Sequence, residues 1–97
     1  MPTYISLIQY TDQGIKGIKD GSQRLDAARQ GFEQAGAKLV AAYLVMGEYD
    51  LVVISEAPDD ETVARLALSQ ASQGNVRSRT MRAFTETEFR RVISSLP

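Results

Sequence analysis

The sequence predicts an α+β fold: one antiparallel sheet with helices on one face. Three observations carry this expectation. Strand-like and helix-like runs alternate in the order strand, helix, strand, strand, helix, strand, with a further helix at the end. The middle of the chain, KLVAAYLVMGEYDLVVISEA from Lys38 to Ala57, holds two apolar, β-rich runs joined by Gly47, Glu48, Tyr49 and Asp50, the pattern of a hairpin. The strand-like runs are apolar on both of their alternating sets, so both faces of the sheet must be covered.

The first strand is Thr3 to Tyr10, TYISLIQY, rich in Tyr and Ile and closed by the polar pair Thr11 and Asp12. Tyr4, Ile8 and Tyr10 fall on one face and Ile5 and Leu7 on the other, the signature of a central strand. In TDQGIKGIKDG, the glycines at 14, 17 and 21 forbid a long helix. Thr11 is expected to cap a short turn with Ile15 and Ile18 pointing inward and Lys16 and Lys19 outward. This run is read as a solvated connector, with Asp12 or Lys16 lining a site as the alternative.

Ser22 is the expected N-cap of a helix from Gln23 to about Ala35, whose Leu25, Ala28, Phe32 and Ala35 form one inward stripe before Gly36 ends it. Strands two and three are Leu39 to Met46 and Leu51 to Ala57. Pro58 stops the third, and Asp59 or Asp60 caps a helix from about Glu61 to Ser72 with Val63, Leu66 and Ala67 toward the sheet. Gly74 and Asn75 break the chain before strand four, Val76 to Phe84. The three arginines there, Arg77, Arg79 and Arg82, indicate an edge position. Thr85 and Glu88 form a capping box for a last helix that carries Phe89, Val92, Ile93 and Leu96 at helical spacing.

This order matches the ferredoxin-like split arrangement, with strands in the order 4-1-3-2 and both crossover helices on one face. The opposite face keeps large aliphatic groups. A second copy covering it would make a dimeric α/β barrel, so a homodimer or higher homo-oligomer is expected. One domain spanning 1–97 is expected, since 97 residues carry only a modest core.

Composition narrows the function. Eleven basic and twelve acidic residues are interspersed, for a net charge of −1, which gives no electrostatic reason to bind nucleic acid or a membrane surface. Cysteine and histidine are absent, which removes disulfides, thiolate chemistry, the commonest general base and the commonest transition-metal ligand. No metal and no cofactor are expected. The opening MPTYISLIQY has no basic leader followed by a long apolar run, so a cytoplasmic location is expected.

The topology gathers Tyr10, Asp12, Gly47, Tyr49, Asp50, Asn75 and Arg77 at one end of the sheet. Strands three and four lie roughly 9 to 10 Å apart across strand one, within reach of an Arg77–Asp50 ion pair or a shared polar ligand. Two readings follow. In one, Gly47 and Gly74 serve the turns, Asp50 bonds backbone N–H groups and Tyr49 plugs the barrel end. In the other, Tyr10, Asp12, Tyr49 and Asp50 line a pocket with Arg77 as anion anchor. Arg79 and Arg82 are read as edge-strand or dimer salt-bridge residues rather than ligands for a carboxylate, and Met46 and Met81 as core fillers. The acidic run at residues 59–61 is read as helix capping rather than a metal site.

At Gly47-Glu48-Tyr49-Asp50 the chain resembles the G-x-Y-D signature of the GYD-domain family. The likeness extends to Tyr4–Tyr10, to TDQGIK from Thr11, to GNVR from Gly74 and to RAFTE from Arg82. The resemblance implies a ferredoxin-like dimeric α/β barrel with no established reaction. The hairpin is also similar to the ligand-binding domains of leucine-responsive transcriptional regulators, without their DNA-binding segment. The function expected is therefore binding of a small polar or anionic ligand at the barrel mouth, as a regulatory or sensing module. A cofactor-free isomerase or monooxygenase is the alternative, with a carboxylate such as Asp50 or Asp12 made basic by burial.

Overall fold

The computed structural model describes all 97 residues. Four strands form one antiparallel sheet: β1, Thr3–Tyr10; β2, Lys38–Leu44; β3, Leu51–Glu56; and β4, Val76–Ala83. Their order is β2-β3-β1-β4, the expected ferredoxin-like order, with β1 central and β4 at an edge. The register sets Tyr4 opposite Ser55 and Arg82, and Ile8 opposite Leu51 and Ser78.

Four helices and one short turn complete the chain. Helix α1, Asp12–Lys16, is capped by Thr11, whose side chain accepts the Gly14 N–H, and a 3₁₀ turn follows at Ile18–Asp20. Ile15 and Ile18 do not point inward as expected; they are 52% and 43% exposed, because a turn this short lies along the sheet end rather than over the core. Helix α2, Gly21–Gln34, begins two residues before the expected start. It continues directly from the 3₁₀ turn, so Asp20, not Ser22, occupies the cap position, and it makes no side-chain bond there. Helix α3, Asp60–Ser72, is capped by Asp59, whose carboxylate accepts from the Thr62 N–H and hydroxyl. Helix α4, Glu86–Ser94, starts with the full Thr85/Glu88 capping box. No helix is long and apolar enough to cross a membrane.

Pleating sends Tyr4, Ser6, Ile8 and Tyr10 to the side of α2 and α3, and Ile5, Leu7 and Gln9 to the other. The core sits at the β1 N-terminal end, where Tyr4, Ala37, Ala57 and Val63 are buried against Phe32 and Leu66. The Tyr4 hydroxyl donates to the Asp60 carboxylate at the start of α3. That bond, followed by burial, raises the Tyr4 pKa and keeps the phenol neutral. A bulge between Leu39 and Ala41 bends β2, and Arg29 Nη1 of α2 donates to the Leu39 carbonyl at 2.8 Å.

Two surfaces lack cover. Ile5, Leu7, Val52 and Ile54 share the far face of the sheet and are only half-buried. Helix α4 leaves Phe89, Val92 and Ile93 at 55%, 46% and 50% exposed, and Leu96, expected on the same stripe, falls beyond the end of the helix and is 61% exposed. Met46 and Met81 are not core fillers within the chain. They are 98% and 46% exposed, Met46 because it lies beyond the end of β2 and Met81 because it points to the far face.

Candidate functional site

The residues expected at the rim occupy one end of the sheet, and two clamps hold them. In the first, the turn after β2 is pinned to β1. The Asp50 carboxylate accepts the Tyr10 N–H at 2.8 Å, the Asp50 N–H donates to the Ile8 carbonyl at 2.8 Å, and Gln9 Nε2 donates to the Glu48 carbonyl at 2.7 Å. Gly47 has φ of +134°, a backbone state that side chains disfavour, so a glycine lets the chain turn back. Asp50 thus commits one carboxylate oxygen to β1, and Tyr49 sits half-buried beside it.

The second clamp joins the β1–α1 junction to the α3–β4 loop. The Thr11 N–H donates to the Asn75 carbonyl at 3.0 Å, the Thr11 hydroxyl to the Gly74 carbonyl, and Gln13 Nε2 to the Gln73 carbonyl and Asn75 Oδ1, each at 3.0 Å. Gly14 is buried where a Cβ would lie 2.0 Å from the Asn75 carbonyl oxygen. Gly74 takes φ of +85° against the Gln13 amide. The TDQG and GNVR runs therefore meet as one interlocked joint, a role that pairs residues about sixty positions apart.

Asp12 lies in the first turn of α1, and its side chain has no role in this joint. Arg77 stands opposite Gln9 and so faces away from the helices, whereas Asp50 engages the Tyr10 backbone. The ion pairs of the chain are Arg65–Glu61, Arg82–Glu88 and Arg90–Glu86, so Arg77 and Asp50 are not joined. No cluster of acidic groups has the makings of a metal site.

Arg82 organises the far corner. Its guanidinium lies 4.6 Å from the Phe84 ring centroid and 5.9 Å from that of Tyr4, and it pairs with Glu88 at 3.8 Å. The Thr85 backbone N–H, then the Thr85 side chain and after it the Arg82 charge, hold the Glu88 carboxyl below its usual range against the opposing effect of burial. These contacts fix the direction in which α4 leaves the sheet. Phe84, Phe89 and Ile93 then line a shallow groove with Glu86 and Arg90. The helical spacing of this stripe was legible in the sequence. That nothing in the same chain covers it was not.

Known proteins share both the sequence pattern and the fold. The family model described as GYD domain matches residues 4–93. A Thermus thermophilus protein named "Glutamine synthetase and cystathionine beta-lyase binding protein" is 40% identical over 84 residues, covering 86% of this chain and 88% of its own. The crystal structure of TTHA0845, also from Thermus thermophilus, is 24% identical with a TM-score of 0.56, over 88% of this chain and 95% of its own, a likeness of fold. The expectation that this chain's partners are limited to copies of itself and a small molecule is corrected by the 40% identical relative, whose name gives two other proteins as what it binds. Apolar periodicity reveals a surface to be covered and says nothing of what covers it, which is why the sequence pointed no further than a second copy.

Proposed function

The chain belongs to the GYD domain family, and from that premise we propose that it is a partner-binding module that docks on other proteins through α4. One observation carries this: the apolar stripe Phe89, Val92 and Ile93 stands about half exposed on a helix whose start is anchored by a capping box and by Arg82. A rigidly presented amphipathic helix is a recurring docking element, its i, i+3, i+4 and i+7 positions filling a groove on the partner. The relative's name supports the same class of role.

The test uses glutamine synthetase and cystathionine beta-lyase from the organism that makes this chain, titrated against the purified protein by calorimetry. Wild-type chain is expected to bind at least one of them, and the Phe89→Ser, Ile93→Ser double variant to bind about tenfold more weakly or worse, a loss of about 1.4 kcal/mol or more. Both residues are solvent-facing, so the variant is expected to keep the wild-type melting temperature. Equal binding by the two chains, or by neither, overturns the proposal.

The barrel belongs to the same reading as a matter of architecture. The half-buried Ile5, Leu7, Val52 and Ile54 support face-to-face pairing of two sheets. A cytoplasmic location fits the proposed partners, both enzymes of amino-acid chemistry.

A further inference from the structure

The underside of the helices holds a cleft that neither clamp nor α4 explains. Helices α2 and α3 stand apart over the sheet and enclose a space of about 110 Å³. Its walls are apolar, with Leu25, Ala28 and Phe32 from α2, Leu66 and Ala67 from α3, and Val53 from the sheet. Ser6 and Thr80, bonded to each other at 2.9 Å, form part of its floor.

The two ends of the cleft differ. At the β1 N-terminal end the buried cluster of Tyr4, Ala37, Ala57 and Val63 closes it. At the opposite end its lining turns polar, with Tyr10, Arg24, Gln70, Gln73 and Asn75. Arg24 is the one cation among the lining residues. Its Nη2 donates to the Gly14 carbonyl at 3.3 Å, and a guanidinium has further N–H donors to offer a carboxylate. The Asp50 carboxylate at the same end of the sheet is engaged by the Tyr10 N–H.

Protein interiors pack with few voids larger than a water, and an apolar cavity of about 150 Å³ stays dry and takes up benzene. A space of 110 Å³ suits a branched aliphatic body of about four or five carbons. We propose that this cleft is a binding site for a small branched-chain monocarboxylate, its hydrocarbon end against Phe32, Leu66 and Val53 and its carboxylate at Arg24. The site is separate from α4, and its test does not depend on partner binding. It also differs from the rim pocket, since it lies beneath the helices and its anchor is Arg24 instead of Arg77.

The probe is 4-methylpentanoate, with the uncharged 4-methylpentanamide as control, titrated into the full chain and followed by thermal melting and by ¹H–¹⁵N correlation spectra. The acid is expected to raise the melting temperature saturably and to shift the amides of Val53, Leu66 and Ala67, with the amide analogue at least tenfold weaker. Ala67→Leu fills the cleft and is expected to melt no lower than wild type while losing the response to the acid. Should that variant fail to fold, Ala28→Val serves as the smaller filling change. Arg24→Gln is expected to bring acid and amide to equal affinity. Absence of a saturable response, acid and amide binding alike to wild type, or wild-type affinity in a folded filled variant each overturns the assignment.

Discussion

At the scale of single residues, the close approaches are where this fold tolerates least. Gly14 is buried against the Asn75 carbonyl with room for a hydrogen only. Because the obstructing atom is backbone and held by the Thr11 N–H, it cannot swing aside. Gly14→Ala is expected to destabilise the chain by about 1–3 kcal/mol, the usual cost of forcing extra volume into a packed site, read as a lower urea midpoint at unchanged m-value. Gly31, where a Cβ meets nothing within 4 Å, is the control. Gly31→Ala sits mid-helix in α2 and is expected to be neutral or stabilising. The importance of Gly14 was hidden in the sequence, where it reads as one of three helix-breaking glycines. Its partner is some sixty residues away, and only the pairing of β1 with β4 brings them together. Asp50 was more accessible to inference: an acid after a turn glycine suggests backbone capping, and the structure shows its carboxylate on the Tyr10 N–H.

At the scale of elements, two helix starts depend on ionised caps. The Thr62 hydroxyl and N–H, in that order, hold the Asp59 carboxyl below its ordinary range, and the Thr85 N–H does so for Glu88. A carboxyl whose folded pKa is depressed contributes stability that is present above its unfolded pKa and is lost as pH falls through the folded value. The melting temperature is therefore expected to be flat near neutrality and to fall on acidification through and below the ordinary carboxylate range. Asp59→Asn, which caps without titrating, is expected to flatten part of that acid limb. An unchanged limb contradicts the role given to Asp59. These elements were legible because caps are local: Asp59 follows Pro58 and precedes an apolar stripe, and Thr85 and Glu88 stand three apart. The start of α2 was less so, because the 3₁₀ turn feeds straight into it and no side-chain cap marks the boundary.

At the scale of the whole molecule, the chain measures 51 × 31 × 18 Å, elongated for its length, and much of its large apolar surface is uncovered. Strand order follows from the alternation of runs and from the handedness of crossovers, which is why β2-β3-β1-β4 could be anticipated. The covering of the far face and of α4 could not, since periodicity marks an apolar stripe without its occupant. If two sheets close a barrel, light scattering is expected to give twice the chain mass of 10.7 kDa, and Ile54→Lys, a charge on the far face, to return it to a single chain. A single-chain mass at micromolar concentration for the wild type contradicts the barrel and leaves α4 docking standing.

Docking through α4 is tested most directly by amide hydrogen exchange of the chain alone and saturated with glutamine synthetase or cystathionine beta-lyase. Slowed exchange is expected over α4, from Phe89 to Ser94, with the Thr11–Asn75 joint unchanged. A saturated complex in which α4 exchanges as fast as in the free chain, with protection elsewhere, contradicts the account.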